Sequence, residues 1–197
     1  MTRSRTQFAV QVLATGIALL ATIAPAGAQV TKPFKIKGGG VAPEGLRPPG
    51  EVTTHLIEGT ATHLGKHTGV GTFDIYTFAP DDPVSPTFFS GTFGSHDPCV
   101  FVGANGDELV CYYGRPDKGA SDVGTYVLTI VGATGDGAPI VVGDFYAEFV
   151  VQPESTGKFA GATGSWIMHA QTDPFVLGSS DPVNYQWNGE TKLTFNK

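Results

Sequence analysis

The sequence predicts an all-β protein, an antiparallel up-and-down barrel of about eight strands, with a β-sandwich as the alternative. Three observations support this fold class. Short segments alternate between apolar and polar residues, β-branched and aromatic residues dominate those segments, and the 197 residues include 27 glycines and 14 prolines. Turn-forming residues separate the segments throughout, so no stretch is left for a substantial helix.

The chain begins with a segment typical of an export signal. Arg3 and Arg5 form a positive start, residues 8–24 are almost wholly apolar, and residues 25–28 read Pro-Ala-Gly-Ala. The apolar run is shorter and weaker than a membrane-spanning helix, which needs about 20 apolar residues. We therefore expect cleavage after Ala28 and a mature protein in the periplasm or outside the cell, with no membrane contact after cleavage.

Residues 29–50 predict a flexible tether. Three lysines precede the glycine run at 38–40, and three prolines follow it. Glycine loosens the backbone, proline extends it, and no apolar period is visible here. The predicted organisation is a signal peptide at 1–28, a tether at 29–50 and a single β-barrel domain at 51–197, with a first edge strand as the alternative to the tether.

Nine candidate strands follow at a spacing of roughly 10 to 15 residues, which is typical of an antiparallel meander. They are residues 52–61, 67–78, 87–93, 99–103, 107–114, 125–131, 140–151, 164–171 and 185–195.

Two of these segments predict a hairpin that carries both cysteines. If residues 104–106 form a three-residue loop with Gly106 in the left-handed conformation, Cys99 faces Cys111. Facing cysteines of an exported protein lie within disulfide reach in an oxidising compartment. We therefore expect a Cys99–Cys111 disulfide, with two buried free thiols as the alternative.

The charge balance argues against a nucleic-acid partner. Without Arg3 and Arg5, 10 basic residues face 18 acidic ones, so the chain from residue 29 has a net charge of −8. Binding to nucleic acid or to anionic lipid draws its affinity from a surplus of Lys and Arg. We expect neither partner.

The residues 140–151 predict a strand with two different faces, because alternate side chains of a strand point to opposite sides. One face is apolar and includes Val141, Phe145 and Phe149, which we expect to line the interior and any ligand there. The other face carries Asp144, Tyr146 and Glu148. We expect these three to meet water or a neighbouring subunit, because enclosing carboxylates without cations is costly. If they pointed inward, they would be candidate catalytic groups.

The spacing of the histidines is not that of a metal site. His55, His63 and His67 are separated by even intervals and would share one face of an uninterrupted strand. Gly65 predicts a turn between them, and no cysteine or helical histidine pair supports a metal. We expect neither a metal nor another cofactor.

Three segments built of turn residues carry a resemblance to a known family: residues 59–69 (GTATHLGKHTG), 104–109 (ANGDEL) and 156–164 (TGKFAGATG). They look like, in that order, three signatures of exported bacterial proteins related to the allene oxide cyclase barrel. The third is also similar to a turn segment of plant dirigent proteins. The resemblance covers most of residues 52–195 and implies an eight-stranded barrel with an apolar lumen, often trimeric in the plant relatives. No catalytic residue can be carried over from it.

The sequence thus favours an exported, non-catalytic barrel that binds a small apolar molecule or serves a structural or surface role. Two alternatives stay open. One is a cyclase- or isomerase-like enzyme that acts on an apolar substrate in the lumen through Asp144, Tyr146 or Glu148. The other is a secreted module that binds a protein or polysaccharide through outer aromatics. The candidates for that surface are Trp166, Trp187, Tyr112 and Tyr113.

Overall fold

The computed structural model describes residues 28–196 and has the all-β fold that the sequence predicts. Its strands are β1 Gln29–Ala42, β2 Val52–Ala61, β3 Gly65–Ile75, β4 Ala79–Pro80, β5 Phe88–Ser95, β6 Cys99–Gly103, β7 Glu108–Tyr113, β8 Gly124–Ala133, β9 Pro139–Val151, β10 Ser165–Thr172, β11 Phe175–Val176 and β12 Val183–Asn196. Two short 3-10 helices span Pro116–Lys118 and Gly157–Phe159. None of the helices in residues 28–196 is long and apolar enough to cross a membrane. The predicted signal peptide lies outside the described residues, apart from Ala28.

Eight strands form a closed, barrel-like ring in the order β1-β2-β3-β6-β7-β9-β10-β12, and β12 pairs with β1 to close it. The pairs are antiparallel. β5 pairs with the end of β3, and β8 joins β5 to the first half of β9. The chain therefore runs up and down around the ring, and β5–β6 and β7–β8 each act as one long, interrupted strand.

The prediction of a tether is wrong for residues 29–42, which form the strand β1. The strand pairs with β12 along its whole length and with β2 from Ile36 to Val41. Its inward-facing Phe34 and Ile36 are fully buried. The apolar period is hidden in the sequence because glycines occupy the next inward positions. A Cβ atom at Gly40 would lie 2.2 Å from the Tyr185 ring, so the glycine makes room for a neighbour rather than loosening the chain.

The predicted cysteine hairpin has the expected register but no disulfide. Gly106 has a φ of 84°, and Cys99 faces Cys111, yet both are free, fully buried thiols. The Gly103 amide donates to the Asp107 carbonyl (2.9 Å), so Gly103 and Asp107 are a hydrogen-bonded pair of the antiparallel ladder. Hydrogen-bonded pairs alternate with non-hydrogen-bonded pairs along such a ladder. Cys99 and Cys111, four residues further along, are therefore also a hydrogen-bonded pair. Side chains of this pair type are farther apart than those of the alternate type. Burial also raises the pKa of both thiols, which disfavours the reactive thiolate. The disulfide prediction is therefore wrong for this structure.

Aromatic side chains fill most of the ring interior. At one end, the fully buried Phe159 packs edge-on against Phe34, with ring centres 6.2 Å apart. In the middle, Phe149 stacks on Tyr113 at 4.5 Å and on Trp166 at 5.3 Å. This packing closes the lumen except near the opposite end, where β1 ends and β2 begins.

Candidate functional site

The two faces of β9 lie as predicted. Val141, Phe145 and Phe149 are buried inside the ring, whereas Tyr146 on the opposite face is 46% exposed. Asp144 and Glu148 are half-buried on that outer face. The interior position of the apolar face is confirmed, and the alternative in which the two carboxylates and Tyr146 enter the lumen is wrong.

Both outer carboxylates have hydrogen-bond partners of their own. Glu148 accepts hydrogen bonds from the Ser165 hydroxyl (2.5 Å) and the Ser121 amide (2.6 Å), which hold the pKa of its carboxyl below the ordinary value. Asp144 accepts one from His169 Nε2 at 3.0 Å. These groups form part of the outer wall, so they cannot act on a substrate in the lumen.

The interior cavity lies at the open end of the ring and has a volume of about 70 Å³. Its wall is apolar or aromatic apart from Thr172, one histidine and two tyrosines. The lining residues are Ala42, Leu46, His55, Phe73, Phe93, Tyr113, Phe145, Met168, Ala170, Thr172, Phe175, Val183 and Tyr185. Of the three predicted ligand-lining residues, Phe145 lines this cavity, while Val141 and Phe149 belong to the packed core.

His55 joins the two tyrosines of the cavity wall. Its Nδ1 lies 2.6 Å from the Tyr185 hydroxyl, and its Nε2 lies 2.9 Å from the Tyr113 hydroxyl. Burial lowers the pKa of His55 to about 4, so the imidazole is neutral at pH 7. Burial also raises the pKa values of Tyr113 and Tyr185, which keeps both phenols protonated. The three side chains therefore form a neutral hydrogen-bonded chain in an otherwise apolar cavity.

The direction of this chain follows from its end at Tyr113. A backbone carbonyl can only accept, so the Tyr113 hydroxyl donates to the Thr72 carbonyl, 3.3 Å away. The Tyr113 oxygen then accepts the proton of His55 Nε2. His55 Nδ1 is left with a lone pair, and it accepts the proton of Tyr185. This network assigns the Nε2–H tautomer to His55.

Two glycines leave the space that the chain occupies. A Cβ atom at Gly71 would lie 2.3 Å from His55 Nε2, and one at Gly40 would lie 2.2 Å from the Tyr185 hydroxyl. Both positions point inward, on β3 and β1 respectively. The convergence of these three side chains was not expected from the sequence. The available signal was His55 itself, an ionisable side chain that alternates with Thr53 and Ile57 on the inner face of β2.

The other histidines do not join His55. His67 is buried beside Phe101 and Trp187, with ring centres 5.3 and 5.9 Å away. His63 has a φ of 71° in the turn between β2 and β3. Over residues 28–196, no group of three or more His, Cys, Asp and Glu side chains could hold a metal ion.

The aromatics proposed for an outer surface lie mainly inside. Trp166, Trp187 and Tyr113 are buried, and the Trp187 indole donates to the Gly39 carbonyl at 3.2 Å. Tyr112 faces outward, where Lys118 lies over its ring at 5.0 Å. An aromatic surface of the predicted composition is therefore absent from the described part of the chain.

Fold and site together define an antiparallel, barrel-like protein with a small apolar cavity at its open end. The histidine and the two tyrosines of that cavity are neutral and already hydrogen-bonded to each other. Comparison of the chain with protein-family models, curated proteins and solved structures finds no match. The function is therefore inferred from the cavity itself.

Proposed function

We propose that the protein binds a small, largely apolar molecule whose single oxygen is held by Tyr185 at the open end of the ring. The observation that carries this proposal is the neutral Tyr185–His55–Tyr113 chain in an apolar cavity. Binding sites for small molecules combine apolar walls with a few polar groups that fix orientation. The resemblance to the allene oxide cyclase and dirigent barrels supports the same kind of ligand.

The size of the cavity limits the part of the ligand that it holds. A volume of about 70 Å³ is less than half of the roughly 150 Å³ that accommodates benzene in an engineered cavity. The cavity therefore suits the oxygen-bearing end of a ligand. The remainder would extend outward past Leu46 and Phe175, two partly buried side chains at the cavity wall.

A ligand carbonyl would reverse the hydrogen-bonded chain. Carbonyl oxygens only accept, so Tyr185 must turn its proton from His55 to the ligand. His55 then donates from Nδ1 to the Tyr185 oxygen, and Tyr113 donates to Nε2 in place of its long bond to Thr72. Binding of a carbonyl ligand therefore moves the proton of His55 from Nε2 to Nδ1. An alcohol that donates its own proton to the Tyr185 oxygen leaves the His55 proton on Nε2.

Tyr185→Phe tests the proposal with cyclohexanone as the probe. This variant keeps the ring and removes the hydroxyl, and we expect cyclohexanone to bind about tenfold more weakly, as for the loss of one buried hydrogen bond. Affinity is measured by NMR titration of the ketone. The matched control is Tyr126→Phe, because Tyr126 is a buried tyrosine whose hydroxyl donates to the Thr77 carbonyl instead of facing the cavity. Equal affinities of the two variants, or no binding to the unmodified protein, would contradict the proposal.

Proton transfer in the same cavity is a second candidate function, favoured by the two phenols and one imidazole that already exchange hydrogen bonds. This candidate is again a cyclase- or isomerase-like enzyme, but its acid and base groups would be those of the Tyr185–His55–Tyr113 chain. Asp144, Tyr146 and Glu148 are excluded because they lie outside the lumen. Enolisation would exchange the α-protons of cyclohexanone for deuterium in heavy water. The same titration in heavy water therefore separates a binding protein, which leaves these protons in place, from an enzyme.

We further propose that the protein acts outside the cytoplasm. β1 begins at Gln29, so cleavage after Ala28 would leave every described strand intact. Mass spectrometry of the exported protein is expected to show a chain that starts at Gln29. Retention of residues 1–28 in that product would contradict both the cleavage and the proposed location.

A further inference from the structure

The hydrogen-bonded chain of the cavity has a second protonation state, in which one of its hydrogens loses its acceptor. Neutral His55 accepts the proton of Tyr185 at Nδ1 and donates from Nε2 to Tyr113, so every polar hydrogen of the chain is paired. A second proton on the imidazole occupies Nδ1, and both ring nitrogens then only donate. This change affects the two tyrosines differently.

The Tyr113 end of the chain is compatible with a protonated His55. Nε2 still donates to the Tyr113 oxygen, 2.9 Å away, and the Tyr113 hydroxyl still donates to the Thr72 carbonyl at 3.3 Å. No hydrogen bond on this side has to reverse. Protonation therefore leaves the contacts between β2, β7 and β3 unchanged.

The Tyr185 end of the chain loses its acceptor. Nδ1 lies 2.6 Å from the Tyr185 oxygen and, once protonated, donates to it, so the hydroxyl proton of Tyr185 must turn away from His55. Within residues 28–196, the Tyr185 hydroxyl makes no hydrogen bond other than the one to His55. A buried donor without a partner destabilises the protein, so this proton needs a new acceptor.

The wall of the cavity does not supply that acceptor. Outside the hydrogen-bonded chain, Thr172 is the one polar side chain among the lining residues that the structure describes. Its Oγ1 accepts from the Gly143 amide at 2.8 Å, on the side of β10 that faces β9, whereas Tyr185 lies on β12. The acceptor for the Tyr185 proton therefore has to be a molecule in the cavity.

His55 is the group of this cavity that changes its charge in acid. Tyr113 on β7 and Tyr185 on β12 face it directly, and the Cys99 thiol on β6 lies near both tyrosines. Burial raises the pKa of all three, so they stay protonated below pH 7. Asp74 lies near Tyr113 but points to the outer face of β3. The lining residues that the structure places on β1, β3, β5, β9 and β10 have no titratable side chain.

We propose that protonation of His55 makes the cavity selective for ligands that accept a hydrogen bond, such as ketones, and that these ligands in turn draw a proton from solvent onto His55. The inference rests on the proposed function, because the ligand oxygen has to meet Tyr185. A ketone accepts the Tyr185 proton that is unpaired in the free, protonated protein. By linkage, the ketone therefore stabilises the proton on Nδ1.

An alcohol gives no such selectivity, because a hydroxyl group both donates and accepts. It donates to the Tyr185 oxygen when His55 is neutral, and it accepts from the Tyr185 hydroxyl when His55 is protonated. One hydrogen bond forms in either state. Cyclohexanol is therefore the matched control for cyclohexanone, since the two differ only at the oxygen-bearing carbon.

NMR titration of labelled His55 between pH 7 and pH 4 tests the proposal on the mature chain. With saturating cyclohexanone we expect His55 to titrate about one pH unit higher than in the free protein, as for about tenfold tighter binding to the protonated form through one buried hydrogen bond. With cyclohexanol we expect no change. His55 has a pKa of about 4 in the free protein, so cyclohexanone is expected to bind about fivefold more tightly at pH 4 than at pH 7.

The variant His55→Gln is expected to bind cyclohexanone equally at both pH values, whereas His96→Gln, which changes an exposed histidine, keeps the difference. Binding of cyclohexanone at pH 7 without a change in the titration of His55 would overturn this inference and leave the proposed function intact. The same change with ketone and alcohol, or weaker ketone binding in acid, would also overturn it. Absence of ketone binding at both pH values would overturn the inference together with the proposed function.

Discussion

Phe149→Ala is expected to lower the free energy of unfolding by about 3–5 kcal/mol, as for a large aromatic removed from a packed core. The Phe149 ring is buried and stacks on Tyr113 at 4.5 Å and on Trp166 at 5.3 Å. The alanine variant leaves a cavity between these rings and loses the stacking with both. Urea unfolding followed by tryptophan fluorescence measures the change, because Trp166 is one of the two partners.

Ile167→Ala is the control for this variant. Ile167 lies on β10 next to Trp166 but points outward and is 56% exposed, so its loss is expected to cost less than about 0.5 kcal/mol. Similar costs for the two variants, or a larger cost for Ile167→Ala, would mean that the inner and outer faces of β9 and β10 are reversed.

Acid is expected to destabilise the protein by about 3 kcal/mol between pH 6.5 and pH 4, and the loss begins well above the ordinary pKa values of carboxyl groups. His55 has an ordinary pKa of 6.5 in the unfolded chain and a pKa of about 4 in the folded one. In this window the unfolded chain binds more protons, so stability is complete above pH 6.5 and falls as the pH is lowered towards 4. His67 acts in the same direction, because burial lowers its pKa as well.

The variant His55→Gln identifies the group responsible. Glutamine does not titrate, so most of the loss between pH 6.5 and pH 4 is expected to disappear, although the variant is less stable at pH 7. His96→Gln is the control: His96 is exposed and its pKa is raised by a hydrogen bond from its ring to Asp74, so removing it leaves the acid-induced loss in place. A stability curve that is flat from pH 6.5 to pH 4 in the unmodified protein would contradict the burial of a neutral His55.

The strands that the sequence predicts best are those with an uninterrupted alternation. β2 and β6 have the predicted bounds, and Gly106 adopts the left-handed conformation that sets the hairpin register. β1 is missed because glycines occupy inward positions where an apolar residue would reveal the period. Those glycines are required by close contacts with other strands, such as that of Gly40 with Tyr185. The alternation of residues within one segment does not reveal contacts with distant segments.

The candidate site is missed for a related reason. His55 is 58 residues from Tyr113 and 130 residues from Tyr185, and the three lie on β2, β7 and β12. Their convergence depends on the closure of the ring, which brings distant strands together. The faces of β9 could be predicted because a single strand contains both. A site shared by three separated strands has no such local signature.

The ring nitrogens of His55 offer the most direct test of the proposed ligand site. NMR of labelled His55 at pH 7 is expected to show a proton on Nε2 in the free protein and on Nδ1 at saturating cyclohexanone, because Tyr185 turns its proton to the ketone oxygen. Tyr185→Phe is expected to remove this change. A His55 ring that keeps its proton on Nε2 while the ketone is bound would show that the ligand oxygen is held elsewhere and would contradict the role proposed for the Tyr185–His55–Tyr113 chain.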